Sequence, residues 1–325
     1  MAAVLEAGGY DIIGDVHGCA RALATLLLKL GYQRVNGIYR HPSRIAIFVG
    51  DIIDRGPRIR EALHLVRDMV DTGAAQLVMG NHEYNAIGFC TRSRPGALHP
   101  YLREHNARHM RQIKETLEQF RDHGREWNDF LLWFRSLPLF VEGQGFRVVH
   151  ACWDAQLIDK FRAVFPDGCV DEDFLHASTV RDSFAGLVMD RLLRGTDLPL
   201  PDGRTMVGKD GLVRAFFRTK FWADKRDTYG DVVFQPDGLP DDLVDRRLSE
   251  EEKRRLLSYD DSQLPVFVGH YWLSGTPQAI RPNIACLDYS SVKYGKLVAY
   301  RYDREPRICA DKFVWIDVFK GMPVP

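Results

Sequence analysis

The chain has 325 residues, 45% of them hydrophobic and 27% charged, an ordinary globular composition. Lys+Arg and Asp+Glu both total 44, so the formal net charge is zero and no global field favours nucleic acid or an acidic lipid surface. The length fits one large domain with insertions and is enough to bury a core without staples. None of the six cysteines falls in a CxxC pair or at zinc-ribbon spacing, so reduced thiols in a cytoplasmic protein are expected. Met1 to Gly9 lacks the apolar stretch of a signal peptide, and no apolar run approaches the roughly 20 residues of a membrane helix.

In chain order, short apolar runs end abruptly in polar clusters. Tyr10 to Ile13 runs into Gly14-Asp15-Val16-His17-Gly18. An amphipathic helix follows, with Leu23, Leu26, Leu27 and Leu30 on one face and Gly31 as its stop. Arg44 to Val49 runs into Gly50-Asp51, and beyond Pro57 the residues Ile59, Leu63, Val66 and Val70 give a second helix, ended by Gly73. Leu77 to Met79 runs into Gly80-Asn81-His82-Glu83. Residues 101–135 read as helical and locally basic through Arg103, His105, Arg108, His109, Arg111 and Lys114. That face is either simply solvated or a cap that meets an anionic substrate. Phe146 to Val149 ends at His150.

Residues 155–262 break the rhythm, with turn-rich stretches at Leu198 to Gly203 and Gln235 to Asp242 and a capping box at Ser249–Glu252. They read as an insertion on the sheet. Val266 to Val268 then ends at Gly269-His270, and Ile284 to Leu287 at Asp288-Tyr289. Short β-branched runs bounded by turn residues are buried strands. Strand–loop–helix units in series make this an α/β protein, a single domain over 1–325 with its site at the strand ends.

The clusters carry the chemistry. Asp15-x-His17 can aim two side chains at one ion. Gly50-Asp51-Ile52-Ile53-Asp54-Arg55-Gly56 puts two carboxylates and an arginine in one turn after a buried strand, which is costly unless something binds there. Asp51 can ligate and bridge two cations, and the forked guanidinium of Arg55 suits phosphate. Asn81 offers a neutral oxygen. His82 can protonate a leaving oxygen, with Asp54 placed to orient it. A lone strand-end histidine such as His150 or His270 is commonly structural, but five such clusters in one chain point jointly to a metal centre.

GDVHG, GDIIDRG and GNHE, followed by a strand-end His and then GH, resemble the calcineurin-like metallophosphoesterases. The GDxxDRG form resembles the branch holding phosphoprotein phosphatases and symmetrical diadenosine tetraphosphatases. The resemblance implies a β-sandwich flanked by helices and two divalent metals, manganese first, with iron or zinc as alternatives. It implies that Asp15, His17 and Asp51 hold one metal and that Asp51, Asn81, His150 and His270 hold the other. The metals would activate a water as hydroxide for in-line attack on phosphorus. Arg55 would clamp the phosphate, and His82, held by Asp54, would protonate the departing oxygen. Two further substrate contacts are expected: Arg218 in the insertion, with Lys220 as fallback, and Tyr289.

Val149-His150-Ala151-Cys152-Trp153 departs from both branches at Cys152 and Trp153, although Ala151 favours the tetraphosphatases. The leading expectation is a phosphomonoesterase acting on a phosphoprotein or a small phosphorylated molecule. A symmetrical dinucleoside polyphosphate hydrolase is the alternative, since Trp153, Tyr271, Trp272 and Tyr289 lie beside motif residues and could stack on a base. A non-catalytic phosphate-binding module would have lost one of the motif residues, and all are intact. A phosphorylated small molecule, nucleotide or protein is thus the expected partner, with no nucleic acid or membrane.

Overall fold

A computed structural model describes residues 6–208, 211, 213–234 and 238–323. Met1 to Leu5, and the part of the Gln235 to Asp242 stretch over 235–237, lie outside the described residues. The first half of the chain alternates strand and helix: β1 (Gly9–Ile13), α1 (Ala20–Lys29), β2 (Arg44–Phe48), α2 (Ile59–Asp71), β3 (Ala75–Leu77) and α3 (Asn81–Cys90). Two more helices, α4 (Ala107–Gln119) and α5 (Gly124–Arg135), lead to the hairpin β4 (Phe140–Gly143) and β5 (Phe146–Val149). After α6 (Ala155–Val164), α7 (Glu172–Ala177) and α8 (Phe184–Arg194) comes a segment of short elements. The chain closes with β6 (Val266–Val268), β7 (Ile284–Cys286), β8 (Asp288–Tyr289), β9 (Lys296–Tyr302) and β10 (Phe313–Asp317).

These strands form two sheets. The first runs β8-β9-β1-β2-β3, with β10 also on β9. Its β1, β2 and β3 are parallel, and β9 runs antiparallel to β1. The second runs β7-β6-β5-β4, with β5, β6 and β7 parallel. Side-chain alternation explains how the sheets stack. Ile12 and Ile47 are partners in register and point between the sheets, where they join Val148, Phe267 and Tyr300 in a buried core. Their neighbours Ile13 and Phe48 point the other way, beneath the helices with Leu23, Leu27, Leu63, Val66 and Phe134. Burial on both faces is why the parallel strands read as uninterrupted apolar runs.

Two expectations shift. The helical stretch predicted from 101 starts only at Ala107, where the Asn106 side chain caps it by accepting from His109 N–H. It breaks between Gln119 and Gly124, so Arg103 and His105 lie on a loop. Within 155–262, α6 and α8 sink Phe161, Val188 and Leu192 into the main core. Residues 196–248 hold a small core of their own around Leu198, Phe217, Tyr229 and Leu243. The Ser249 capping box forms as predicted, opening a helix at Glu250–Arg255. No helix among the described residues is long and apolar enough to cross a membrane, and all six cysteines are free.

Candidate metal centre

Six loops leave the carboxyl ends of β1, β2, β3, β5, β6 and β7. Parallel strands bring such ends together. The loops deliver Asp15, His17, Asp51, Asp54, Asn81, His82, Glu83, His150, His270 and Asp288, every one of them buried. Asp51 lies at the middle. Its Oδ2 is 3.6 Å from His17 Nε2, 3.5 Å from His150 Nε2 and 3.9 Å from His82 Nε2. Asn81 Oδ1 contacts His150 Nε2 at 3.0 Å and His270 Nδ1 at 2.7 Å. Asp15 accepts from the backbone N–H of His270 at 3.2 Å. Two donor groups emerge, Asp15–Asp51–His150 and His17–Asp51–His82, with Asp51 common to both.

The backbone is bent to achieve this. His17, Asp51, Asp54, Arg55, His270 and Trp272 all have positive φ. Each such residue costs on the order of 1–3 kcal/mol and persists only where its surroundings hold it. The loops are also pressed together. A Cβ on Gly56 would sit 1.7 Å from His17 O, and one on Gly269 would sit 2.0 Å from Asp15 Oδ1. Glu83 clasps the Asp51 loop: its two carboxylate oxygens accept from the backbone N–H groups of Gly80, Asp51 and Ile52 at 2.8–3.0 Å.

Electrostatics separate the roles. Burial and the neighbouring Asp288 and Asp51 hold the Asp15 carboxyl well above its usual range. Burial also acts on Asp51, but His150, His82 and His17 outweigh it and keep Asp51 ionised. Burial lowers His17 and His270, so both stay neutral. His17 and His150 each donate Nδ1–H to a backbone carbonyl, of Ile53 and Val49, at 2.8 Å. That turns each Nε2 to the centre: His17 offers a lone pair there, whereas Asp51 outweighs burial and raises His150, so a bound cation would take the place of its Nε2 proton. His82 Nδ1 and Asp54 Oδ2 are 2.5 Å apart. Burial lowers His82 to about 3 and raises Asp54 to about 7, so the pair shares one proton. Thr116 of α4 holds Asp54, donating to Oδ1 and accepting from its N–H at 3.1 Å.

Imidazoles, ionised or ionisable carboxylates and one amide oxygen make a mixed N/O donor set, the kind that suits a divalent transition metal. A further observation favours a cation: His270 Nε2 is buried without a hydrogen-bond partner. Buried carboxylates packed this closely are costly without a compensating charge.

The predicted residues do not all converge. Arg55 does: its guanidinium donates to His17 Nε2 at 3.0 Å and to His82 Nε2 at 2.9 Å, and it lies over the Trp272 ring at 4.5 Å. Arg218, on the short strand Phe216–Thr219, lies near enough to His270 for its charge to help depress that imidazole, and its guanidinium has no hydrogen-bond or ion-pair partner among the described residues. Tyr289 does not reach the site. It packs between the sheets, and its hydroxyl accepts from Gln278 N–H. Trp153 and Tyr271 are core residues as well, which leaves Trp272 as the one half-buried aromatic of the four. Sequence reasoning missed Glu83, Thr116 and Asp288. Asp288 anchors the Trp272 loop, accepting from Trp272 N–H at 3.0 Å.

Fold and donor set together define a two-sheet protein with a candidate divalent-cation centre at its strand ends. Residues 10–185 match the family model described as calcineurin-like phosphoesterase, and the chain belongs to that family. It is 33% identical over 158 residues to a bis(5'-nucleosyl)-tetraphosphatase PrpE [asymmetrical] of Oceanobacillus iheyensis, covering 46% of this chain and 58% of that one. It is 30% identical over 160 residues to the Bacillus subtilis protein of the same name, covering 47% and 61%. The chain therefore spans about three fifths of the length of these relatives. A Saccharomyces cerevisiae protein serine/threonine phosphatase with similarity to human phosphatase PP5 shares the fold, with a TM-score of 0.52 at 16% identity over 97% of this chain and 81% of that one.

Proposed function

We propose that this single-domain chain removes a phosphoryl group from small phosphorylated molecules at a two-cation centre, with nucleoside phosphoanhydrides preferred over phosphoproteins. Asp15, His17 and Asp51 would hold one cation, and Asp51, Asn81, His150 and His270 the other, with manganese the first candidate. Cations bound there would supply Lewis acidity and an activated water.

The chain's own groups do the rest. Arg55 offers two parallel N–H donors to phosphoryl oxygens, in the geometry that favours charge spread over those oxygens. It turns from His17 and His82 toward the mouth when those nitrogens are engaged, and Trp272 gives it a surface to lie on. His82, its Nδ1 held by Asp54, would carry a second proton on Nε2 once Arg55 has turned away, and would give that proton to the departing oxygen. Arg218 meets the substrate from the insertion, which together with the 101–135 segment narrows the approach and disfavours a folded protein substrate.

The observation that carries this reading is the sharing of Asp51 between two buried donor groups beside Arg55, which has no carboxylate partner among the described residues. The names of the relatives support the nucleotide class. The test is hydrolysis of para-nitrophenyl phosphate, a phosphoserine peptide and diadenosine tetraphosphate by metal-stripped protein with and without Mn²⁺. Preference for the dinucleotide is expected, and its products, two ADP or ATP plus AMP, give the cleavage position. Turnover unaffected by stripping, or absent with every divalent ion, would sink the reading.

A further inference from the structure

A cavity of about 260 Å³ lies along α3, the helix that opens with the site residues Asn81 and His82. His82 and Asn85, three residues apart, are neighbours on the surface of that helix, as are Tyr84 and Gly88, four apart. Asn85 and Gly88 line the cavity together with Tyr84, Arg103, Ser178 and Arg194. A second link runs through α4, where Thr116 holds Asp54 and Gln112, one turn before it, accepts from Arg103. Whole small-molecule sites commonly occupy roughly 300–1,000 Å³. This space is an annex for part of a ligand.

Its chemistry is cationic. Arg194, at the end of α8, donates to Asn85 Oδ1 at 2.9 Å, is paired with Asp190 and lies over the Tyr84 ring at 5.3 Å. Arg103 donates to Gln112 Oε1 at 2.9 Å and has no carboxylate partner among the described residues. Its position is built: Arg103 N–H donates to Gly88 O at 3.0 Å, and a Cβ on Gly88 would come within 3.3 Å of Arg103 Cβ. The remaining acids are already engaged, Glu104 by the Asn106 amide and Asp190 by Arg194, while Arg181 at the rim is paired with Asp197. Burial, with Arg194 and Arg108 nearby, lowers Arg103 to about 9. Arg103 in turn acts on Asp54 and His82, and Arg194 on Arg218, so the cavity's positive charge is felt at the site. A half-buried guanidinium with only an amide for a partner is costly unless an anion comes to it.

We propose that this cavity is a second anion subsite that holds the non-reacting phosphates of a polyphosphorylated substrate. The inference rests on His82 as proton donor to the leaving oxygen. If that oxygen belongs to a phosphate, the next phosphate continues along α3 toward Arg103 and Arg194.

Two measurements test it. The first is calorimetric binding of inorganic tripolyphosphate in chelator, comparing the native chain with Arg103→Gln and Arg103→Lys, each checked for an unchanged melting transition. The glutamine variant should bind about 10- to 100-fold more weakly, the loss expected for a charge-assisted contact, and lysine should recover part of it. Absent binding in the native chain, or equal binding in all three, overturns the subsite. The second is the ratio of kcat/KM for a nucleoside polyphosphate to that for para-nitrophenyl phosphate. Arg103→Gln should lower the ratio about 10-fold through KM, and an equal loss on both substrates overturns the proposal. Native protein that binds tripolyphosphate through Arg103 yet hydrolyses neither substrate would defeat the proposed function and leave the subsite standing.

Discussion

At the scale of single residues, the His82–Asp54 pair is the sharpest object in the molecule. His82 Nδ1 and Asp54 Oδ2 meet at 2.5 Å, both partners are buried, and Thr116 fixes the carboxylate from another helix. His82→Gln removes the proton source but keeps a polar side chain of similar reach. We expect kcat to fall about 10²–10⁴-fold, the range of general acid catalysis, with bound metal unchanged by elemental analysis. Loss of metal in the same variant would make His82 a ligand, as its place in the His17–Asp51–His82 group allows. Asp51→Asn is the complementary change. It removes the carboxylate common to both donor groups, so metal content and turnover should fall together, and a variant that keeps two equivalents of metal would rule out bridging. Much of this was legible in the sequence, because carboxylates and histidines at the ends of buried strands have no cheap alternative explanation. Tyr289 misled, and strand parity shows why. Adjacent residues on β8 point to opposite faces, so once Asp288 faces the centre Tyr289 must enter the core between the sheets. Glu83 was overlooked because it does its work on the backbone N–H groups of a loop some thirty residues away in the chain, a contact with no local signature.

At the scale of elements, the loops are stiff rather than loose. Six of the site's non-glycine residues have left-handed backbone, and glycines sit where neighbouring loops touch. Gly56 is the tightest case, since any side chain would overlap the His17 carbonyl. Gly56→Ala should cost about 1–3 kcal/mol by overpacking and displace His17 before it unfolds the chain. Chemical denaturation should show the loss, and weaker metal binding at fixed temperature should accompany it. Unchanged stability with unchanged metal affinity would mean the loops give way freely. The sequence announced the helices and strands through periodicity and punctuation, and it marked these turns as special through their Gly-Asp-His-Arg composition. It could not reveal the handedness of Asp51 or Arg55, because positive φ at non-glycine residues is imposed by the packing around them. For the same reason the 101–106 loop was absorbed into the helix that follows it: its basic pattern runs on without a break, and only the Asn106 cap marks the boundary.

At the scale of the whole molecule, the centre joins the two sheets. Asp15, Asp51 and Asn81 leave strands of the first sheet, and His150 and His270 leave strands of the second. Cations bound by this set would cross-link the halves of the sandwich at one end, while the core of Ile12, Ile47, Val148 and Phe267 glues them along their length. Without cations that end gathers Asp15, Asp51 and Asp288, where burial and the ionised Asp51 raise the proton affinity of the other two. Ligand binding to the folded state alone stabilises by RT ln(1 + [L]/Kd), about 2.7 kcal/mol at a hundred times Kd. Mn²⁺ should therefore raise the melting temperature by several degrees over chelated protein, and Asp51→Asn should abolish the shift. The location of the effect is more telling than its size. If both sheets contribute ligands, amide exchange should slow in β1 and β2 and in β5 and β6 together on adding metal. Protection confined to the first sheet would mean that His150 and His270 are structural, and that the centre holds a single ion on the Asp15–His17–Asp51 side.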